Sequence, residues 1–460
     1  MSATPGLTSA PRPPRPEAAP PRPYHFPQFE HRILANGMRL IVAPVPKLPI
    51  ATVLMLAEGG AAADPSGREG VAQLTAQLLL EGSEHIDGAS LTEQLELLGA
   101  TAGASADWDV AVVRCTALVE NLPRALEILG GVLRAPAFPE REVDRLKAER
   151  IADLLQLRAD PGALADETFA RVAYADGSRY ALPAGGNEQT VRAIVRGDVQ
   201  RFYEERYCPE AMTVIVAGAM TVDESEQLIT RLFADWRGTP PRATRIDDAP
   251  GARTRRVHLV SKPEAPQSEL RVGHVGVPRA HPDYFAIVVM NAILGGLFSS
   301  RINLNLREQH GYTYGAHTGF DWRRHAGPFG ADTAVKSDVT DAAIREIIAE
   351  IERMREMPVS AEELSLATSY LDGVFPIRYE TTDAIASAIA NLEVYGLGDA
   401  WLDRYRERVR AVTVEDVQRA ARAHLRPEEL QVVVVGDPAV VREKLESLGI
   451  GPVTVVDSER

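Results

Sequence analysis

The feature that most constrains this chain is a sequence repeat at a constant spacing of 218 residues, the difference between positions 191 and 409. Short segments near the middle of the chain recur near its end without insertions or deletions between them. An ungapped match of this kind predicts a tandem duplication, in which each half ends in a helix, a strand, a glycine turn and a further helix. The matching segments are Val191-Arg-Ala193, Asp198-Val-Gln-Arg201, Pro209-Glu210 and Gly218, which recur as Val409-Arg-Ala411, Asp416-Val-Gln-Arg419, Pro427-Glu428 and Gly436.

Each half mixes patterns typical of strands with patterns typical of helices. The Asn36-Gly37 pair lies between two apolar segments and is typical of a hairpin turn. Residues 50–57 read as a strand, residues 65–81 as a helix, and Ser90-Leu-Thr-Glu93 as a capping box that opens the next helix. The predicted class is α+β, in which each half has a largely antiparallel sheet with helices on one face. Two such halves would form a clam-like cleft, where binding sites commonly lie.

Domain boundaries follow from the repeat and from local composition. Residues 1–23 are a Pro-rich tail, which we predict to be disordered. Residues 241–255 belong to a stretch rich in Pro, Gly and charge, which is typical of a linker. We therefore predict an N-terminal domain over residues 24–240 and a C-terminal domain over residues 256–460.

Charge and hydropathy argue against two classes of partner. The 64 acidic residues outnumber the 50 basic ones, for a net charge of −14, which argues against nucleic acid. No apolar run reaches the ~18 residues that a membrane span needs, and the longest, Tyr284 to Phe298, predicts a buried helix. The N-terminus lacks the apolar core of a signal peptide. We therefore predict a cytoplasmic location, with the periplasm as an open alternative.

The stretch from residue 295 to 320 holds the candidate site residues of the second half. It reads GGLFSSRINLNLREQHGYTYGAHTGF: a Gly-Gly pair, interpreted as a turn, precedes a helical run that ends near Arg307. The period changes from helix to strand at Gly311, and the chain leaves through Tyr314. This reversal can bring Arg307 and Tyr314 to a common space, where a guanidinium and a phenol would clamp a peptide carbonyl or a developing oxyanion. For an isolated pair, a purely structural role is the more common one.

This stretch resembles the C-terminal signature of the pitrilysin, or insulinase-like, metallopeptidases and of the mitochondrial processing peptidase subunits. In that family a glycine-rich segment, F-S-S-R and L-R-E precede a tyrosine seven residues after the arginine, and Arg307 and Tyr314 match this pair. The resemblance implies that these two residues bind the substrate backbone opposite a zinc ion. It covers the chain apart from the tail, and it implies two α/β roll domains that face one another.

The zinc motif that the resemblance implies is degenerate in the first half. The family's H-x-x-E-H motif puts two zinc-binding histidines on one helical face, with a glutamate base beside them. The corresponding positions here are Gln73, Ala76 and Gln77. A carboxamide is a weak, neutral zinc ligand and alanine cannot accept a proton, so we expect no metal site at these residues. The family's distal glutamate ligand falls near Ala152 or Asp153, and Asp153 alone would not restore the site.

Three histidines of the second half, His310, His317 and His325, are close together in sequence but do not form a recognisable metal motif. They lack H-x-x-x-H spacing, and no carboxylate lies at a supporting offset. We interpret them as surface or cleft histidines.

The chain thus keeps one half of a divided active site and lacks the other. It resembles the zinc-less subunits of heterodimeric peptidases, which implies a zinc-binding homologous partner, zinc in that partner, and peptide substrates. In this hypothesis the chain is inactive alone, Tyr314 donates to the scissile carbonyl and Arg307 positions the peptide.

Two alternatives stay open: a non-enzymatic core or scaffold subunit of a larger complex, and a self-sufficient peptidase with an unrecognised metal site. The retained Arg–Tyr pair argues against the scaffold, and the degenerate motif against the peptidase.

Overall fold

Two six-stranded sheets, one in each half, form the frame of the computed structural model, which describes residues 22–456. The predicted disorder of the Pro-rich tail falls almost entirely outside the described residues. The predicted linker, residues 241–255, is described and contains no helix or strand. The strands are β1 (Glu30–Ile33), β2 (Arg39–Pro44), β3 (Ile50–Ala57), β4 (Thr101–Ala106), β5 (Ala111–Leu118), β6 (Met212–Gly218), β7 (Arg256–Ser261), β8 (Gln267–Val275), β9 (Ala316–Phe320), β10 (Pro328–Lys336), β11 (Gln431–Gly436) and β12 (Val453–Val456).

The two sheets share one topology apart from one edge strand each. The first has the order β1-β2-β6-β3-β5-β4, and the second has the order β12-β7-β11-β8-β10-β9. Strand β6 runs parallel to β2 and antiparallel to β3, just as β11 runs parallel to β7 and antiparallel to β8. The remaining neighbours are antiparallel, except that β12 is parallel to β7. The shared order is the one that a tandem repeat predicts, and the predicted α+β class is confirmed.

Helices of each half cover one face of the sheet in that half, as the sequence predicts. Three-residue 3₁₀ turns and two π-helical segments, Ala292–Gly296 and Leu304–Gln309, supplement the α-helices. Within the described residues the α-helices are α1 (Val71–Leu78), α2 (Gly88–Leu97), α3 (Leu122–Arg134), α4 (Glu140–Ala159), α5 (Pro161–Ala173), α6 (Glu188–Ala193), α7 (Arg196–Arg206), α8 (Val222–Phe233), α9 (Tyr284–Asn291), α10 (Arg301–Asn303), α11 (Thr340–Glu356), α12 (Ala361–Arg378), α13 (Thr382–Tyr395), α14 (Ala400–Arg410), α15 (Val414–His424) and α16 (Pro438–Ser447).

The other face of each sheet is covered by a helix from the opposite half. Helix α13 of the second half packs on β3 and β6, and α5 of the first half packs on β8 and β11. The central strands read as almost continuous apolar runs, and every residue of β6 and β11 is buried, as strands with two covered faces require. This reciprocal exchange joins the two halves through buried apolar contacts.

Two local predictions need correction. The helix predicted over residues 65–81 begins only at Val71, because the preceding residues form a loop that turns through glycines with positive φ. The predicted capping box at Ser90 is wrong. Helix α2 starts two residues earlier, and the carboxylate of Asp87 caps it by accepting the Ser90 N–H at 2.8 Å.

One helical segment between residues 22 and 456, Tyr284–Gln309, is long and apolar enough by length and composition to cross a membrane. Of an apolar window of 18 residues within it, 61% is buried in the protein, as the sequence predicts for the core helix that starts here. Gly295 and Gly296 lie in its π-helical part and not in a turn, which corrects the sequence interpretation. A Cβ on Gly295 would lie 2.3 Å from the Thr318 hydroxyl, so glycine allows the helix to pack directly on β9.

Candidate functional site

The chain reverses direction between Arg307 and β9, as the sequence predicts. The π-helical segment Leu304–Gln309 is followed by Gly311, whose φ of 65° is left-handed. The N–H of Gly311 donates to the carbonyl of Arg307 at 3.2 Å, and the N–H of Tyr312 donates to the carbonyl of Leu306 at 2.8 Å. The reversal therefore comes from a glycine turn closed by backbone hydrogen bonds.

Arg307 and Tyr314 occupy different environments within this reversal. The Arg307 guanidinium carbon lies 4.4 Å above the centre of the Phe298 ring, and its Nε lies 3.6 Å from Glu308. The Tyr314 side chain is 94% exposed, and it has no hydrogen bond or ring contact within residues 22–456. The structure therefore holds Arg307 against an aromatic ring and leaves Tyr314 open to solvent. The described residues record no direct contact between the two side chains.

A buried asparagine fixes the two sides of the reversal to each other. Asn303 is 1% exposed; its Nδ2 donates to the Phe298 carbonyl at 2.6 Å, and its Oδ1 accepts the Ala316 N–H at 3.2 Å. It thereby joins the residue that supports Arg307 to the first residue of β9. We did not predict Asn303 or Phe298 as site residues, although an asparagine among apolar helical residues is a recognisable signal for a buried polar link.

A bidentate ion pair anchors the same segment to α12. Nε and Nη2 of Arg301 donate to the two carboxylate oxygens of Glu363 at 2.6 and 3.0 Å. Glu363 also completes the capping box of α12 with Ser360. Hydrogen bonding from Arg301, followed by the Ser360 amide, lowers the pKa of Glu363 to about 2 despite its partial burial. The segment that carries Arg307 is therefore held from two directions.

The degenerate motif lies on α1, and its three residues differ in their environment. Ala76 is buried, Gln77 is exposed, and Gln73 is partly buried, with its Nε2 3.4 Å from the Ala106 carbonyl. The proposed distal positions, Ala152 and Asp153, are both exposed on α4.

A guanidinium from α4 lies beside Gln73 instead. Nε of Arg150 donates to the Gly185 carbonyl at 3.2 Å. A Cβ on Gly185 would lie 2.3 Å from Nη2 of Arg150 and 2.5 Å from Oε1 of Gln73, so both side chains press against this glycine. Burial lowers the pKa of Arg150, and the charge of Asp153 opposes this effect. A fixed cation at this position repels a metal cation, so these residues do not fit the zinc ion of the family.

The backbone that would support a motif on α1 is well anchored. Asp64 accepts the N–H groups of Gly70 and Ala72 at 2.7 and 2.9 Å, and Arg179 donates to the same carboxylate at 2.9 Å. Burial raises the pKa of Asp64 to about 6, while the adjacent Arg179 opposes the rise. The start of α1 is therefore rigidly capped, although the motif residues have lost their chemistry.

A cavity of about 270 Å³ opens next to Arg150, between α4 and α5. Most of its lining is apolar, with Trp108, Leu154, Leu157 and Leu164 among the side chains that face it. Charged side chains of both signs also line it: Arg150, Arg158, Asp166, Glu167 and Glu188. The pocket beside the degenerate motif therefore combines apolar walls with several charged groups, as ligand pockets commonly do.

Fold and site together define a two-domain peptidase-like protein whose metal-binding half has lost its ligands. The chain belongs to the M16, or insulinase, family of peptidases. Residues 40–175 match the family model for insulinase (peptidase family M16), and residues 193–371 match the model for the peptidase M16 inactive domain. Within that family it is a member of the inactive type, since the zinc motif is absent.

Relatives and solved structures of this family include zinc proteases and inactive members. The chain is 23% identical to an uncharacterized zinc protease of Streptomyces coelicolor, over 85% of each chain. It is 21% identical to a probable mitochondrial-processing peptidase subunit beta of Arabidopsis thaliana, over 89% of this chain and 78% of that protein. It is also 21% identical to a non-peptidase homolog of Helicobacter pylori, over 85% of this chain and 90% of that protein. The peptidase M16 inactive domain from Pseudomonas fluorescens has a similar fold, with a TM-score of 0.83 and 23% sequence identity. The match covers 89% of this chain and 98% of that structure.

Proposed function

We propose that the chain is the zinc-less subunit of a heterodimeric zinc peptidase and presents Arg307 and Tyr314 to peptide held by a zinc-binding homologous partner. The observation that carries the proposal is Tyr314, a phenol that is 94% exposed and has no partner between residues 22 and 456. A side chain in this state adds almost nothing to the stability of its own chain. It is available to a ligand or another subunit.

The chemistry of the two residues suits substrate binding in such a complex. The phenol of Tyr314 donates one hydrogen bond to the scissile carbonyl as negative charge develops on its oxygen, and loss of such a donor costs about 3 kcal/mol. Arg307 carries several donors on a planar group that is held against Phe298, so it can bind peptide carbonyls without a large loss of side-chain entropy. Neither residue breaks the bond itself.

The strand that follows Tyr314 is not itself a free edge for a peptide. Strand β9 is the last strand of the second sheet, but side chains of the preceding helical segment bind its backbone. The Ala316 N–H donates to Oδ1 of Asn303, and the Thr318 carbonyl accepts from Nδ2 of Asn291 at 3.0 Å. The proposed peptide contact therefore depends on the Tyr314 phenol and the Arg307 guanidinium, and not on the addition of a strand to β9.

The scaffold alternative has less support in this structure. A scaffold subunit needs the fold and its interfaces. It does not require an exposed phenol without a partner among residues 22–456, or a guanidinium held by an aromatic ring seven residues before it. Arg150 disfavours a self-sufficient peptidase that uses the family's metal position, because its guanidinium lies beside Gln73. A peptidase with a metal site elsewhere is tested by the assay of the chain alone.

The experiment is a peptidase assay of the purified chain alone, of a homologue from the same source with an intact H-x-x-E-H motif, and of the two together, each with and without a zinc chelator. We expect chelator-sensitive cleavage to rise in the mixture and to fall for Tyr314→Phe or Arg307→Ala. Arg141→Ala is a matched control for Arg307, since the Arg141 side chain is 90% exposed on α4. A mixture that is no more active than the homologue alone, or that is indifferent to both substitutions, would favour the scaffold.

A further inference from the structure

A second cluster of potential metal ligands lies away from the degenerate motif, where two segments of the second half meet. His281 and Asp283 immediately precede α9, and His424 is the last residue of α15. One ligand atom from each residue can be chosen so that all three lie within 4.8 Å of one another. Helices α9 and α15 pack against each other, so the cluster is at a junction that the fold already holds together.

The three side chains are oriented towards one another. Nε2 of His424 lies 2.7 Å from Oδ2 of Asp283, and the His281 and His424 rings are nearly perpendicular with their centres 4.8 Å apart. The backbone N–H of Asp283 donates to Nδ1 of His281 at 3.1 Å. Because an N–H donates to it, Nδ1 of His281 holds a lone pair, and the proton of the neutral ring is on Nε2. A metal ion would replace the Asp283 N–H at Nδ1, or would bind Nε2 after a change of tautomer. The His424 side chain is only 10% exposed.

The donor set suits a transition-metal ion. Two imidazoles and one carboxylate are common zinc ligands, and they leave a fourth position for water. Zinc–ligand distances of about 2.0–2.1 Å place donor atoms about 3.3 Å apart in a tetrahedral site. The three donor atoms lie within 4.8 Å of one another, so each separation would change by about 1.5 Å or less. Nη1 of Arg419 donates to the second oxygen of Asp283 at 2.7 Å and holds the carboxylate in place, as outer hydrogen bonds do around metal sites.

We propose that His281, Asp283 and His424 form a binding site for a divalent transition-metal ion, with zinc as the first candidate. The ion would join the start of α9 to the end of α15. Helix α9 opens the helical segment that leads to Arg307, so a metal at this junction braces the base of the candidate substrate-binding region. In this proposal the ion braces the two helices and takes no part in bond cleavage, although three protein ligands leave an open position of the kind that catalytic zinc sites have.

This proposal changes how the zinc content of the purified chain is interpreted. One equivalent of zinc would otherwise support a self-sufficient peptidase with an unrecognised catalytic site. If the ion is bound by this cluster, a chain without any catalytic zinc also carries one equivalent. The location of the metal, and not its presence, then distinguishes the two interpretations.

The test is a titration of the untagged, chelator-treated full chain with Co²⁺, followed by displacement with Zn²⁺. We expect one equivalent of Co²⁺ with the visible absorption of a four-coordinate ion, and a rise in the thermal midpoint when the metal binds. His281→Ala and Asp283→Asn should each weaken binding by about tenfold or more. The second variant keeps the shape of the side chain and therefore guards against a loss of folding.

Two controls locate the site. His85→Ala removes an exposed histidine in the first half, and Gln73→Ala alters the degenerate motif; both should bind Co²⁺ like the parent. Parent-like binding by His281→Ala and Asp283→Asn, absence of binding in the parent, or loss of binding in Gln73→Ala would each overturn the proposal. None of these readouts depends on peptidase activity, so the metal site and the proposed function can fail separately.

Discussion

Replacing Tyr314 by phenylalanine separates a functional role from a structural one. The substitution removes one hydroxyl and keeps the ring. Because the side chain is 94% exposed and the hydroxyl has no partner among the described residues, the free energy of unfolding should change by less than about 0.5 kcal/mol. For a chain of this size that corresponds to a shift of the thermal midpoint of less than about 2 °C.

The effect on activity should be much larger. If the phenol donates to the oxyanion only as charge develops, its loss raises the barrier by about 3 kcal/mol. A tenfold change in rate corresponds to about 1.4 kcal/mol, so kcat of the mixed enzyme should fall about 100-fold. KM should change little, because the bond contributes mainly in the transition state.

The assay measures steady-state cleavage by the mixture of the two chains, with thermal unfolding of the isolated variant recorded in parallel. Tyr370→Phe is the matched control, because Tyr370 is a half-exposed tyrosine on α12 and should leave both readouts unchanged. A fall in kcat of less than about threefold would refute the reasoning, and so would a marked loss of stability.

Three further predictions test the frame of the site. Ile389→Ala removes a fully buried side chain from α13, the helix that packs on the first sheet, and should destabilise the chain by about 2–5 kcal/mol. Thermal unfolding should remain one cooperative transition, and calorimetry that resolves two transitions would contradict this. Glu363→Gln should cost about 1 kcal/mol near neutral pH, a modest value because the carboxylate is a third exposed. Since the pKa of Glu363 is lowered from 4.5 to about 2, its contribution is complete above about pH 4.5 and disappears as the pH falls towards 2, so unfolding curves of the two proteins should converge in acid. Restoring H-x-x-E-H at Gln73, Ala76 and Gln77 should not create a tight zinc site while the Arg150 guanidinium remains. Metal titration of the restored chain, with and without Arg150, measures the zinc affinity.

Patterns local in sequence predicted much of the fold. The Asn36-Gly37 turn and the strand β3 agree with the structure because each depends on backbone preferences within a few residues. The 218-residue repeat predicted two halves of equal topology, because duplicated sequences keep the same strand order. The predicted start of α2 was wrong because Asp87 and Ser90 are both suitable N-cap residues. The free energies of the two caps differ by only a fraction of the stability of the helix, so the sequence does not decide between them.

Contacts that join distant segments could not be predicted from one sequence. The exchange of α5 and α13 between the sheets depends on which apolar face meets which sheet, and periodicity identifies a face but not its partner. The approach of Arg150 to Gln73 spans 77 residues and needs Gly185 to make room, so no local motif reports it. His281 and His424 likewise meet only because two helices pack together.

Because each half covers the sheet of the other with a helix, the family fold can be kept for stability alone and does not by itself indicate activity. Helix α5 follows α4 directly and covers one face of the second sheet, so the first half is needed for stability whether or not it binds zinc. The rigid capping of α1 by Asp64 therefore persists for structural reasons and is no evidence of activity. Tyr314 is different, since an exposed phenol without a partner among residues 22–456 contributes almost nothing to the stability of either half. The functional argument accordingly depends on the loop between Arg307 and β9, and a test there carries more weight than any similarity of the whole fold.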